Sequence, residues 1–189
     1  MSRRSEKVGR PRRYAFEALE EIAHPRAAYY LAALDELSAR HFDLLDDLPA
    51  EVLGWAPAPG WFSAAQITAH MIQAEGFWVS HVTRQALPDD VARPLAAWRK
   101  AEGPPATAGD LAAIGARVRE EITQARLAGA EDIDGEVLDG PRRTSIRGVL
   151  LHLMWHWTYH SGQVGLIRGL TGMEYQWTFD DRIVGSEAE

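Results

Sequence analysis

Cysteine is absent from this chain of 189 residues, and no apolar run approaches the ~20 residues that a membrane helix needs. Without cysteine the chain cannot form a disulfide, a zinc–thiolate site, an iron–sulfur cluster or a cysteine nucleophile. The basic N-terminus is not followed by the apolar segment of a secretory signal. We therefore expect a cytoplasmic protein with no membrane partner. Lysine is nearly absent while arginine is abundant, a bias typical of a GC-rich bacterial genome.

The residues that are present have the composition of a globular domain, with 46% hydrophobic and 25% charged residues. The length suits one domain with appendages. Residues 1–13 carry six basic side chains against one acidic one, whereas the remainder holds 14 basic and 26 acidic residues. We predict a disordered basic tail over residues 1–13 and one domain over residues 14–189. Because only the tail could attract nucleic acid, we expect no nucleic-acid partner.

Helical periodicity recurs in four segments of the domain. They are residues 14–48 (interrupted at Pro25), 63–88, 107–125 and 144–170. Ser63 with Gln66, and Thr107 with Asp110, have the spacing of capping boxes that begin helices. Residues 89–109 are predicted as a connection with a short turn at 95–98, and residues 128–143 as a loop. No strand pattern competes, so the sequence predicts an all-α four-helix bundle.

The fourth segment carries three histidines at four-residue steps: His152, His156 and His160. Side chains four apart lie one above the other on a helix face, so neighbouring imidazoles can converge on one metal ion. The outer two are ~12 Å apart along the axis, too far to share an ion easily. Spacing alone leaves open which of the two neighbouring pairs would bind.

A pair of histidines needs a third ligand, and His70 in the apolar stripe of the second segment is the natural candidate. Helix bundles commonly build metal sites from side chains on facing helices. His81 lies ~16 Å further along the same helix, too far to share the ion. His41 lies on the apolar stripe of the first segment and could contact a metal ligand without binding the ion itself. The glycines at 162, 165 and 169 are interpreted as sites of close helix packing.

These motifs resemble the DinB/YfiT-like metalloenzyme family over nearly all of residues 30–170. The resemblance rests on residues 55–63 leading into His70, on Glu75 with Trp78, and above all on residues 151–164 followed by Arg168. Family members typically have two histidines four apart and then Arg-Gly-Gln. Here Ser161 replaces that arginine, while both histidines are retained.

The resemblance implies a four-helix bundle that holds a divalent metal ion (Zn, Ni or Fe) through His70, His156 and His160. His152 then becomes a supporting or core residue. Relatives in this superfamily include metal-dependent transferases that activate a low-molecular-weight thiol, and this chain is predicted to be one. Its expected partner is then a small-molecule substrate, with that thiol as the candidate, and a homodimer is left open.

Two other functions stay open at this stage: metal-dependent hydrolysis, and a non-catalytic, stress-related role in which the ion braces the bundle. No catalytic residue is assigned. Tyr159 and Glu75 are candidate proton carriers, but Glu75 is five residues after His70, ~140° around the helix, and is expected to face away.

Overall fold

The computed structural model describes residues 25–127, 129–139 and 142–175. The predicted basic tail, residues 1–13, lies outside the described residues, as do the other residues before Pro25 and those after Tyr175.

The described residues are mostly helical. In chain order they form α1 (Pro25–Asp43), α2 (Ala50–Leu53), α3 (Ala64–Thr83), α4 (Asp89–Arg99), α5 (Ala108–Arg117), α6 (Ala125–Leu127), β1 (Val137–Asp139), β2 (Arg142–Thr144) and α7 (Ile146–Leu170). A π-helical turn, Val118–Gln124, joins α5 to α6, so these three pieces make one rod. Helices α1, α3 and α7 and this rod form the bundle, which confirms the predicted all-α four-helix architecture.

Local side-chain chemistry explains where three of the long helices begin. The Ser63 hydroxyl accepts the Gln66 N–H while the Gln66 side chain accepts the Ser63 N–H, and Thr107 and Asp110 repeat this arrangement for α5. Ser145 caps α7 by accepting from the Gly148 N–H. Each cap satisfies backbone donors that would otherwise have no partner, which contributes about 1 kcal/mol to helix stability.

Helix α7 lies against both α1 and α3, and α3 also packs against α4 and the π-helical turn. The core therefore lies where α3 and α7 meet their neighbours. Met71 of α3 and Leu153 and Trp157 of α7 are fully or nearly fully buried in it. The Phe42 ring of α1 reaches the backbone of α5 at Gly115, where a Cβ would lie 2.3 Å from Cζ of Phe42.

Three sequence-based expectations about the connections are wrong. Residues 89–99 form an 11-residue helix instead of a connection, because Val91 and Leu95 bury an apolar face that offsets the backbone hydrogen bond lost at Pro94. Residues 137–139 and 142–144 pair as an antiparallel hairpin, which covers the end of the predicted loop (residues 128–143) and Thr144. The first helix ends at Asp43 instead of Leu48, and a separate turn of helix, α2, follows Pro49.

The glycines of α7 also differ from expectation. A Cβ placed at Gly162, Gly165 or Gly169 would meet nothing within 4 Å, so none of them permits close packing within the described part of the chain. Among the described residues, no helix is both long enough and apolar enough to cross a membrane.

Candidate metal centre

Helices α3 and α7 bring His70, His156 and His160 together in the bundle. These three residues are called the histidine triad below. The capping box at Ser63 begins α3 seven residues before His70, and the i, i+4 spacing places His156 and His160 one turn apart on α7. Because α3 packs against α7, the side chain of His70 meets the other two.

The triad has the compactness that a single ion requires. Its three candidate ligand atoms all lie within 4.8 Å of one another, and Nε2 of His70 is 3.1 Å from Nε2 of His156. The ring centroids are 4.9 Å apart for His70 and His156, 5.1 Å for His70 and His160, and 4.5 Å for His156 and His160. Three ring nitrogens therefore point into one small volume.

Burial keeps the triad neutral. Desolvation, and then repulsion from the neighbouring imidazoles, lowers the pKa of His156 to about 3. Desolvation and repulsion from His160 lower the pKa of His70 to about 4, and burial also lowers the pKa of His160. At neutral pH each ring therefore has a lone pair available, which is the form that binds metals.

Gln163 orients one member of the triad. Its side-chain carbonyl Oε1 accepts a hydrogen bond of 2.5 Å from Nδ1 of His160. With the proton held on Nδ1, the Nε2 lone pair of His160 is the one available to a ligand. The Gln163 amide in turn lies 3.4 Å from the Tyr159 hydroxyl, to which it donates. The sequence signal for Gln163 was its place in the Ser-Gly-Gln motif after the second histidine.

His41 lies behind the triad, fully buried between α1, α3 and α7. The Thr68 hydroxyl donates to the Ala64 carbonyl, so it accepts from Nε2 of His41 at 2.9 Å. Nδ1 of His41 then accepts from the Ser161 hydroxyl at 3.0 Å. Desolvation, with repulsion from His160, lowers the pKa of His41 to about 3. Ser161, where the family pattern has arginine, thus has a role in this chain: it partners a neutral core histidine.

Glu75, named from the sequence as a candidate proton carrier, is buried in a hydrogen-bond network that the sequence did not predict. Its carboxylate accepts from Arg119 Nε (2.8 Å) and Nη2 (2.5 Å), from the Thr123 hydroxyl (2.7 Å) and from Trp157 Nε1 (2.9 Å). The Glu75 and Arg119 side chains are only 2% and 5% exposed. Arg119 and Thr123 both belong to the π-helical turn, and π-helical turns are frequent at functional sites. The network links α3, this turn and α7.

A cavity of about 350 Å³ lies one helical turn from the triad. It is lined by Trp78, His81, Arg143, Thr144, Gly148, Val149 and His152. The ring of His152 stacks on that of His156, with centroids 5.6 Å apart, and borders the cavity. His152 is exposed and outside the triad, so it is not the core residue that was one of its two expected roles. His81 also lies in the cavity wall and not in the triad.

The comparisons with known proteins agree with this fold. Residues 33–164 match the family described as the DinB superfamily. A crystal structure of a DinB-like protein from Bacillus cereus ATCC 10987 superposes with a TM-score of 0.63 at 18% sequence identity. The match covers 80% of this chain and 96% of the other, and at that identity it shows the shared fold alone. No curated protein matches the chain.

Proposed function

This chain belongs to the DinB superfamily, and on that premise we propose that its histidine triad binds a divalent metal ion with which it activates a low-molecular-weight thiol. The thiol would be transferred to an electrophilic small molecule. The observation that carries the proposal is the convergence of three neutral imidazoles from two helices within 4.8 Å.

The donor set fits such an ion. Imidazole suits zinc, nickel and iron alike, and the triad contains no carboxylate that would offset the charge of the ion. Structural zinc sites are usually closed by four protein ligands, whereas catalytic sites have three and one open position. When bound, an ion of this kind supplies positive charge that lowers the pKa of a thiol or a water molecule.

The chain's own residues prepare the triad for a metal ion, and a neighbouring cavity offers room for a substrate. Burial keeps the imidazoles unprotonated, and Gln163 holds the His160 proton on Nδ1. Because the chain contains no cysteine, the thiol has to arrive with a substrate. The neighbouring cavity of about 350 Å³ is within the size range of small-molecule sites, and Trp78 offers an aromatic wall for a planar electrophile.

Metal content is the first test. In protein purified without an affinity tag, elemental analysis should find one divalent ion per chain. Alanine substitution of any triad residue should abolish stoichiometric binding, because two imidazoles rarely hold a divalent ion alone. The matched control is His152→Ala, which removes an imidazole from the same helix face and should retain the ion, up to about 10–100-fold more weakly. Full metal content in His70→Ala would refute a site shared between two helices.

Activity is the second test. We expect the metal-loaded protein to consume a low-molecular-weight thiol in the presence of a chlorodinitrobenzene-type electrophile, and His160→Ala to lose this rate. Metal-dependent loss of an ester without thiol consumption would instead indicate hydrolysis. An ion that binds neither added azide nor thiol would indicate that it only braces the bundle. Either result would reject the transferase while leaving the metal site intact.

A further inference from the structure

Helix α7 presents an apolar stripe to solvent along almost its whole length. Five large side chains in it are about half exposed: Leu151 (49%), Trp155 (60%), Tyr159 (52%), Leu166 (54%) and Leu170 (58%). Together with the exposed Gly162, these residues are called the α7 stripe below. Their three- and four-residue steps place them on one face of the helix, roughly 100° wide.

The stripe lacks the charges that normally keep a surface helix in water. Helix α7 has 25 residues and no lysine, aspartate or glutamate. Its two arginines lie near its ends, and one of them, Arg168, is buried with its guanidinium on Asp47 and the Leu44 carbonyl. Trp155 and Tyr159 stack on each other with centroids 5.3 Å apart and planes 15° apart, which makes a rigid aromatic plate. Depletion of charge together with exposed aromatics is typical of the centre of a protein interface.

We propose that the α7 stripe pairs two copies of this chain, with the two α7 helices antiparallel across a two-fold axis. The spacing of the stripe is symmetric about the midpoint between His160 and Ser161. In an antiparallel pair centred on this midpoint, Leu151 lies at the level of Leu170 of the other copy. By the same rule Trp155 meets Leu166, and Tyr159 meets Gly162. A two-fold interface needs one patch that is complementary to itself, and this pattern has that property.

Gly162 supplies the clearest complementarity. Glycine inside a helix is destabilising relative to alanine. Nothing within the described chain requires a glycine here, since a Cβ at Gly162 would meet no atom within 4 Å. In the proposed pair the bulky Tyr159 of one copy lies opposite Gly162 of the other. The absent side chain then makes room for the aromatic plate, which gives the glycine a packing role that the single chain lacks.

The area is sufficient for a dimer of modest affinity. Five half-exposed large side chains represent on the order of 500–600 Å² per copy, or about 1,100 Å² over both copies, which is close to the lower limit of specific interfaces. Such an interface is compatible with a dissociation constant in the micromolar range.

The interface would also adjoin the histidine triad. Tyr159 contacts the His160 ring, with centroids 5.1 Å apart, and accepts from Gln163. Each triad would then lie beside the other copy's α7. The dimer does not rest on the metal function, because the stripe is independent of any ion.

Two glycine variants test the surface. Sedimentation velocity of the wild-type chain should show a dimer at about 10–100 µM, because this concentration range populates a dimer with a micromolar dissociation constant. Gly162→Glu should be monomeric, because a carboxylate would be buried against Tyr159 of the partner copy. Gly165→Glu is the matched control: it makes the same change one turn along α7, also in open space but about 90° from the centre of the stripe. It should remain dimeric.

Circular dichroism should show both variants fully helical, since neither site is packed within the chain. A wild-type chain that is monomeric throughout this range would overturn the proposal, and so would a dimer that survives in Gly162→Glu or is lost in Gly165→Glu. Monomers that float with phospholipid vesicles would assign the stripe to a lipid surface instead.

The absence of cysteine allows a direct test of the orientation. We expect a mixture of Leu151→Cys and Leu170→Cys proteins to form disulfide-linked dimers under mild oxidation. Either protein alone should not form them, because the two identical cysteines of a dimer would lie about 28 Å apart along the helix axis. Self-linked Leu170→Cys dimers, or no link in the mixture, would refute the antiparallel pairing.

Discussion

Replacing Glu75 by glutamine should destabilise the protein far more than an isosteric change usually does. Within the described part of the chain, the Glu75 carboxylate accepts the hydrogen bonds of the Arg119 Nε and Nη2 groups, and it also accepts from Thr123 and Trp157. A glutamine amide has one oxygen and an NH2 group that cannot accept. At least one of these donors therefore loses its partner, and the Arg119 guanidinium loses its counter-charge.

The magnitude follows from burial. Both side chains of the pair are at most 5% exposed, so water cannot replace the lost carboxylate oxygen. Asp35 also lies near Arg119, but its Oδ1 is 4.0 Å from Nη1 of Arg119 and its side chain is 55% exposed. Breaking a buried ion pair by removing one partner costs about 3–5 kcal/mol, which is a large share of the ~5–15 kcal/mol by which domains are stable.

Urea unfolding followed by circular dichroism would measure this change. The matched control is Glu121→Gln, which makes the same substitution in an exposed pair with Arg117 and should leave the unfolding midpoint nearly unchanged. Adding Arg119→Met to Glu75→Gln removes the unpaired cation and should recover part of the loss. A Glu75→Gln midpoint equal to that of the control would refute the reasoning, because it would mean that the pair is solvated or replaceable.

The remaining predictions concern pH and packing. His41 has a folded pKa of about 3 against an unfolded value near 6.5, so the unfolded chain binds the extra proton. The stability of the metal-free protein should therefore fall as pH drops below about 6.5. His41 alone contributes up to ~1.4 kcal/mol per pH unit, and His70 and His156, whose pKa values are also lowered, add to the loss. A urea midpoint that stays constant from neutral pH to about pH 4 would contradict this. Protons compete with the metal for the triad, and burial lowers the pKa of His70 to about 4 and that of His156 to about 3. Bound metal should therefore be released as pH falls through about 4 to 3, and full occupancy at about pH 2 in an equilibrium dialysis experiment would argue against three histidine ligands. Gly115→Ala should lower the melting temperature, because its Cβ would lie 2.3 Å from Cζ of Phe42 and the clash should cost about 1–3 kcal/mol. Gly129→Ala is the control and should leave the melting temperature unchanged, because its Cβ would meet no atom within 4 Å.

The sequence predicted the helix starts well because capping is local. Ser63 and Thr107 need only a partner three residues later, and both boxes form as expected. The connections were predicted poorly because their structure depends on distant contacts. Two prolines near residues 88–94 made α4 look like a loop, yet burial of Val91 and Leu95 against the bundle stabilises it as a helix.

The choice among histidines shows the same limit. Spacing made the pair of His152 with His156 equivalent to that of His156 with His160. Only the axial position of α3 against α7 decides which pair meets His70, and that position is set by the packing of side chains far apart in sequence. The family resemblance supplied the choice that periodicity could not, and the structure brings together the three residues it implied.

Glu75 was expected to face away from the metal site, and the sequence did not show that this direction is also buried. The estimate that it lies ~140° from His70 is geometrically sound, but that direction leads to the π-helical turn and not to solvent, since α3 is packed on several sides. The consequence reaches the triad. Trp157, which donates to Glu75, directly follows His156, so the buried network fixes the rotation of α7 about its axis and with it the direction of both α7 imidazoles. A loosened network would misplace ligands that it never touches, and for this reason we expect Glu75→Gln to weaken metal binding even in the fraction of protein that remains folded.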